Sequence, residues 1–140
     1  MIREMSEAES SALLGKERVG RLGCIVEGFP YVVPVNYVYD GDGIYLHSMP
    51  GQKVTAMREN PRVCLQVDRI ENDWNWQSVM VRGTYEEITG TTERTCVLGR
   101  ILASYPSLTP VETIIAEDAG APAPVVFRIR VEKLSGISEG

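Results

Sequence analysis

Between Arg21 and His47 short apolar runs alternate with glycine-bearing breaks: LGCIV, Glu27-Gly28-Phe29-Pro30, YVVPVNYVY, Asp40-Gly41-Asp42-Gly43, IYLH. Runs rich in β-branched and aromatic residues, divided by tight turns, predict three strands of an antiparallel meander. Ahead of them Ser6 and Glu9 stand at capping-box spacing in a helix-forming run with Ala8, Ala12, Leu13 and Leu14, so one short helix is expected before Gly20. After the Pro50-Gly51 turn, Gln52 to Glu59 reads as a two-turn helix with Val54 and Met57 facing inward, ended by Asn60-Pro61. RVCLQVDRI follows as a fourth strand with Val63, Leu65 and Val67 on one face.

The polar segment Glu71 to Gln77 reads as a loop, and Ser78 to Ile88 as a fifth strand with a bulge at Gly83. Thr91 to Tyr105 carries Val97, Leu98, Ile101 and Leu102 as the apolar stripe of a helix. The Pro-, Ala- and Gly-rich stretch to Pro124 is expected to be loop, with at most a short helix over Val111 to Ala116. VVFRIRVEKL closes the set as a sixth strand; its Val126, Ile129 and Val131 break alternation, which leaves its faces unassigned. Antiparallel strands with helices at the ends and one crossover exclude a doubly wound parallel sheet. A small β-barrel or curled sheet, one domain over residues 1–140, closes the edges best.

Composition narrows the partners. A net charge of -5 argues against nucleic acid, whose binding rests on a basic face. No run of about eighteen apolar residues is available to span a membrane. The first ten residues carry early acids and no apolar core of a secretory signal, so a cytoplasmic protein is expected. Cys24, Cys64 and Cys96 are an odd, widely spaced set beside a single His, which suggests neither a disulfide framework nor a metal site; Cys24 and Cys64 are expected to be core thiols.

The available chemistry is limited. There is no G-x-S-x-G, H-E-x-x-H or P-loop, and Glu86-Glu87, as strand neighbours, point to opposite faces and read as solvated surface. The stretch His47 to Lys53 differs, because a strand ending at His47-Ser48, a tight loop and a helix opening at Gln52-Lys53 turn amides, a hydroxyl and an ammonium toward one phosphate-sized place. An ordinary capped turn is the competing reading. Pro34, which removes a ladder donor, marks a sheet edge, a bulge or a backbone facing a ligand.

The order VVPVNYVYDGDGIYLHSMPGQKVTAMRENPRVCLQVD, followed by QSVMVRGTYEEI, resembles the pyridoxamine 5'-phosphate oxidase-like split barrels that bind flavin mononucleotide (FMN), and most closely their nitroimidazole-resistance branch. The resemblance covers roughly Arg18 to Ile88. It implies a six-stranded antiparallel split β-barrel and a homodimer with FMN at the subunit interface. On that pattern Pro34, Val35 and Asn36 lie along the isoalloxazine, His47 and Ser48 close the next strand near the flavin, and Gln52 with Lys53 holds its phosphate. Gln77 and Ser78 match the contact brought in from the partner subunit.

The chain also departs from the pattern. The oxidases usually carry an Arg-Lys pair where this chain has Gln52-Lys53, and their final Trp and substrate-binding Arg have no counterpart in EKLSGISEG, so oxidation of the vitamin phosphate is not expected. Some relatives bind haem or a deazaflavin instead. The resemblance implies a flavin-dependent oxidoreductase of unassigned small-molecule substrate, with no catalytic residue singled out; a haem- or flavin-storage protein on the same barrel, or a dimer with an empty site, are the rivals. Trp74 and Trp76 read either as a flavin cover or as loop anchors. Arg58, Asp68, Arg69, Glu71 and Asp73 read as solvated surface.

Overall fold

Ser6 accepts a hydrogen bond from the Glu9 amide at 3.1 Å while the Glu9 carboxylate accepts from the Ser6 amide at 3.2 Å, and this capping box starts the first helix where the spacing puts it. The computed structural model describes residues 1–105 and 123–140; the short helix expected over Val111 to Ala116 lies outside them. Strand β1 (Ile2–Met5) precedes α1 (Glu7–Lys16), and β2 (Val19–Val26), β3 (Phe29–Asn36), β4 (Val38–Tyr39) and β5 (Gly43–Ser48) follow. Helix α2 (Gln52–Glu59) leads to β6 (Arg62–Asn72) and β7 (Asn75–Glu87), and α3 (Thr91–Ser104) comes before β8 (Val125–Glu139).

Among the described residues eight strands stand where six are expected. Tyr37 is buried and divides YVVPVNYVY into β3 and β4. The four residues of β1 carry little pattern of their own and are held by the far end of β8, Ile2 opposite Glu139 through Met5 opposite Gly136. The segment Glu71 to Gln77 is not a loop: β6 and β7 run into it, and only Asp73-Trp74 turns. The β2–β3 break is equally short, a two-residue turn in which Glu27 and Gly28 take φ of 51° and 81°.

The strand order is β3-β2-β6-β7-β8-β5-β4, with β1 on β8. Strands β3 and β4 therefore stand at opposite ends of the sheet although only Tyr37 separates them in sequence. Laid flat, six strand spacings would put those ends about 29 Å apart, far beyond the reach of two Cα steps of about 3.8 Å each. The sheet must curl until its ends meet. Tyr37 secures the seam by donating its hydroxyl to the Leu14 carbonyl oxygen at 2.5 Å.

Inside the curl, Leu14, Leu22, Leu65, Val67, Val81, Ile44 and Phe127 form the main core, closed at one end by Val54 and Met57 of α2. Strand β8 breaks alternation for two reasons. Its first half is covered on both sides, Phe127 and Ile129 by the main core and Val126 by the cluster beneath Val97 and Ile101 of α3. Farther on, Glu132 is an extra residue against β7, where the register steps from Arg82 opposite Lys133 to Gly83 opposite Val131. The bulge lies beside Gly83 as expected, but the surplus residue belongs to β8. Among the described residues no helix is long and apolar enough to cross a membrane, and no cluster of three or more His, Cys, Asp and Glu is disposed to hold a metal.

Candidate functional site

Helices α1 and α2 differ in what their first turns leave open. Helix α1 has the Glu9 amide of its first turn held by the Ser6 hydroxyl, and acids in that turn. Helix α2 is preceded by Gly51, whose extended backbone offers no capping side chain, and its first turn holds no acid. The opening amides of α2 thus keep their donors, and the positive end of the helix dipole is not neutralised locally. Ser48, at the end of β5, is three residues upstream of this terminus and donates to the Met49 carbonyl oxygen at 3.1 Å.

Lys53 sits in that first turn. It is half-buried, because α2 packs on β2. Burial pushes the Lys53 ammonium below its ordinary range, with the nearby Cys24 thiol acting the other way. The same proximity tempers the upward push that burial gives Cys24. Among the described residues no carboxylate pairs with Lys53, whereas Arg58, one turn farther along, is drawn away by Glu87 at 2.8 and 3.1 Å. A half-buried cation beside unoccupied amides is a place for an anion.

The other expected site residues divide into groups. Pro34, Val35 and Asn36 end β3, a terminal strand whose outer edge has no partner in the sheet order, which satisfies the edge reading of Pro34. Val35 packs against the main core, while Pro34 and Asn36 are exposed. His47 and Ser48 are half-buried opposite Val126 and Val125. Gln77 and Ser78 stand apart. Ser78 is four residues along β7 from Arg82, and Arg82 is level with Cys64 and Gly23, so Ser78 lies about 14 Å down the sheet from that level. Ser78 accepts a hydrogen bond from Gln66 Nε2 at 2.9 Å, and Gln77 faces the opposite side with Arg69 and Ser138.

Two features have no signal in the sequence. Cys24 and its cross-strand neighbour Tyr31 meet the Lys53 side of β2 only because of the hairpin register. On the other face of the sheet a groove of about 720 Å³ runs between Val32, Ile25, Cys64 and Arg82. Cys64 is therefore not a core thiol: it is half-exposed, with its Sγ over Gly23, where a Cβ would stand 2.6 Å away. Only glycine leaves room there. Trp74 is 76% exposed at the hairpin turn and anchors no loop; Trp76 donates its indole N–H to Glu139 at 3.0 Å. Glu86 and Glu87 do face opposite ways, but both are paired, Glu86 with Arg128 and Arg130, Glu87 with Arg58 and the Tyr85 hydroxyl. Asp68 is paired too, with Arg21 at 3.1 Å.

A family model described as pyridoxamine 5'-phosphate oxidase matches residues 6–138. An uncharacterised protein of Rhizobium meliloti is 33% identical over 143 residues, spanning 96% of this chain and 93% of that protein. The crystal structure of a FAD-binding protein from Mesorhizobium loti superposes with a TM-score of 0.82 at 35% identity, over 100% of this chain and 99% of that one. A candidate 5-nitroimidazole antibiotic resistance protein from Bacteroides thetaiotaomicron shares the fold, with a TM-score of 0.73 at 23% identity over 99% of this chain and 89% of that one.

Proposed function

The chain belongs to the pyridoxamine 5'-phosphate oxidase family, and on that footing we propose that it binds FMN and serves as a flavin-dependent oxidoreductase acting on a small molecule. The observation that carries the reading is Lys53: a half-buried ammonium at the uncapped start of α2, with no carboxylate partner among the described residues. A phosphate fits that donor set in charge and in size. Lys53 and the opening amides of α2, with Gln52, would hold the phosphate, and Ser48 and His47 would stand at the end of β5 toward the ring. Pro34, Val35 and Asn36 would offer it the free edge of β3. When bound, the flavin supplies the electron or hydride transfer, and the chain's own residues orient it and exclude water.

The cofactor is shared between two copies of the chain in this reading. Gln77 and Ser78, at the start of β7, would be the contact that the second copy brings to the flavin. The FAD of the Mesorhizobium protein favours a second reading, in which the dinucleotide occupies the same site. Absorption of the purified protein, then chromatography of the flavin released from it, tests all of this. Flavin bands and released FMN are expected; released FAD would support the second reading, and a Soret band or no chromophore after incubation with FMN would overturn both.

A further inference from the structure

The ladder registers set Arg82, Cys64, Gly23 and Val32 in one transverse row across the sheet. Residues directly opposite one another across antiparallel strands point to the same side, so this row is a cross-section of the groove of about 720 Å³. Gly23 is its lowest point. Cys64 leans over the gap, its Sγ 2.6 Å from where a Cβ on Gly23 would stand, and the floor is left to the thiol and bare backbone. Val32, 66% exposed, and Ile25, two residues beyond Gly23 on the same side of β2, form an apolar wall.

The other wall is basic. Arg82 stands directly across from Cys64, and Arg62, two residues before Cys64 on β6, is the diagonal neighbour of Arg82. Both are exposed, and neither makes an ion pair among the described residues. Glu132 lines the same groove and is the one acid there among the described residues. Its carboxylate accepts from the hydroxyl of Thr84, which stands opposite Arg62. Two guanidiniums thus face one carboxylate, and Lys133 adds a further cation on the far side of Arg82. In a chain of net charge -5 this positive excess is local. A cavity of this size, apolar on one side with a few convergent polar groups on the other, is of the kind that holds small molecules.

We propose that this groove binds a small organic carboxylate, its charged end between Arg62 and Arg82 and its aromatic ring or short alkyl chain over Gly23 against Val32 and Ile25. Guanidinium forks match a carboxylate in geometry as well as in charge. Glu132 sets the upper limit on that charge, because a phosphate dianion would crowd its carboxylate where a singly charged head does not. From Cys64 to Val32 is two strand spacings, about 10 Å, which leaves room for one ring or a chain of a few carbons. Cys24, the next residue of β2, points the other way, into the main core and toward Lys53. The strand therefore lies between this place and the one given to the flavin phosphate, and the inference goes beyond the flavin reading and stands without it.

The Cys64 thiol reports occupancy. In a Cys96→Ser chain it is the one accessible thiol, since Cys24 is buried. Iodoacetate carries a carboxylate and iodoacetamide is its neutral counterpart; with either, the sulfur takes the alkyl group while iodide and the thiol proton leave. A change in thiol reactivity moves both rates alike, so their ratio isolates the anion. That ratio should be about tenfold higher in the Cys96→Ser chain than in one that also carries Arg62→Gln and Arg82→Gln, and the advantage should shrink at high salt. Both arginines are exposed, and melting curves near the parent's would certify the fold. A second measurement needs no arginine variant: benzoate should slow alkylation of Cys64 by iodoacetamide, and benzamide should not. Equal ratios in the two chains, or benzoate that protects no better than benzamide, would overturn the carboxylate site. So would a Cys64 that reacts in urea and not in the native protein, because the groove would then be covered.

Discussion

The Tyr105 hydroxyl receives the Tyr37 backbone N–H at 3.1 Å and lies 2.5 Å from the same residue's carbonyl oxygen. One side chain thus meets both backbone groups of the single residue that links β3 to β4. It stands in for the ladder partner that the seam lacks. The Arg18 guanidinium, 4.4 Å from the centre of the Tyr105 ring, covers the other side. Tyr105→Phe keeps the ring and that stacking but strands the Tyr37 amide. We expect a loss of about 1 to 3 kcal/mol in denaturant unfolding; a loss within error would mean that the seam does not depend on the hydroxyl.

Gly83 faces the bulge in β8, where a side chain would run into the Arg130 carbonyl oxygen and lie 2.7 Å from the Ile129 side chain. Neither neighbour is the loose end of a long side chain. Gly83→Ala should cost about 1 to 3 kcal/mol, read as a lowered urea midpoint. A midpoint equal to the parent's would show that the β7–β8 ladder can shift without penalty.

Glu9 is held at about 2, below its ordinary 4.5, first by the hydrogen bond from Arg3 and then by the Ser6 amide. A carboxyl whose folded value is depressed adds stability that is complete above its ordinary value and is lost as pH falls through the folded one. The gap in melting temperature between parent and Glu9→Gln should therefore be steady near neutral pH and shrink between 4.5 and about 2. Both groups are solvent-exposed, so the gap itself is small. A gap that stays constant down to that pH would remove the titration of Glu9 as its source.

Lys53→Ala should weaken FMN by about 10- to 100-fold while leaving riboflavin, which lacks the phosphate, nearly unchanged. Titration by flavin fluorescence reads both constants, and equal losses would take Lys53 away from the phosphate. In the apo chain the sign reverses. Burial holds the Lys53 ammonium below its ordinary range, so the chain carries a penalty at neutral pH that is relieved as pH rises through the folded value toward 10.5. Lys53→Met should raise the melting temperature of the apo protein at neutral pH, and less so in alkali.

Local rules carried the helices well. The Ser6–Glu9 spacing, the Pro50-Gly51 turn and the Val97–Ile101 stripe each depend on residues a few positions apart, and the helices stand where those signals put them. The strands fared less evenly, because their partners are remote. Ile2–Met5 is a strand only because residues 136–139 lie beside it, and Tyr37 divides a continuous β-forming run for the sake of a closure no local pattern reports. At the candidate site, the place of Lys53 in the first turn of α2 was legible from the turn and helix signals. Its neighbour Cys24, and the exposure of Cys64 over Gly23, follow from the packing of α2 on β2 and from the β2–β6 register, which sequence spacing does not contain.

Strand β8 has one further bearing, on the order of events in synthesis. It is the shared ladder partner of β1, β5 and β7, and it leaves the ribosome after all of them. Until its residues emerge, three strand edges wait without their mates, and no amount of local helix formation can cover them. Sequence-distant pairing of this kind makes for slow folding, milliseconds to seconds in small domains, and such nascent edges are open to pairing with other chains. The nascent protein is thus most exposed to misassociation just before β8 emerges, and crowded polysomes or overexpression would bring that hazard out before any loss of stability in the finished fold.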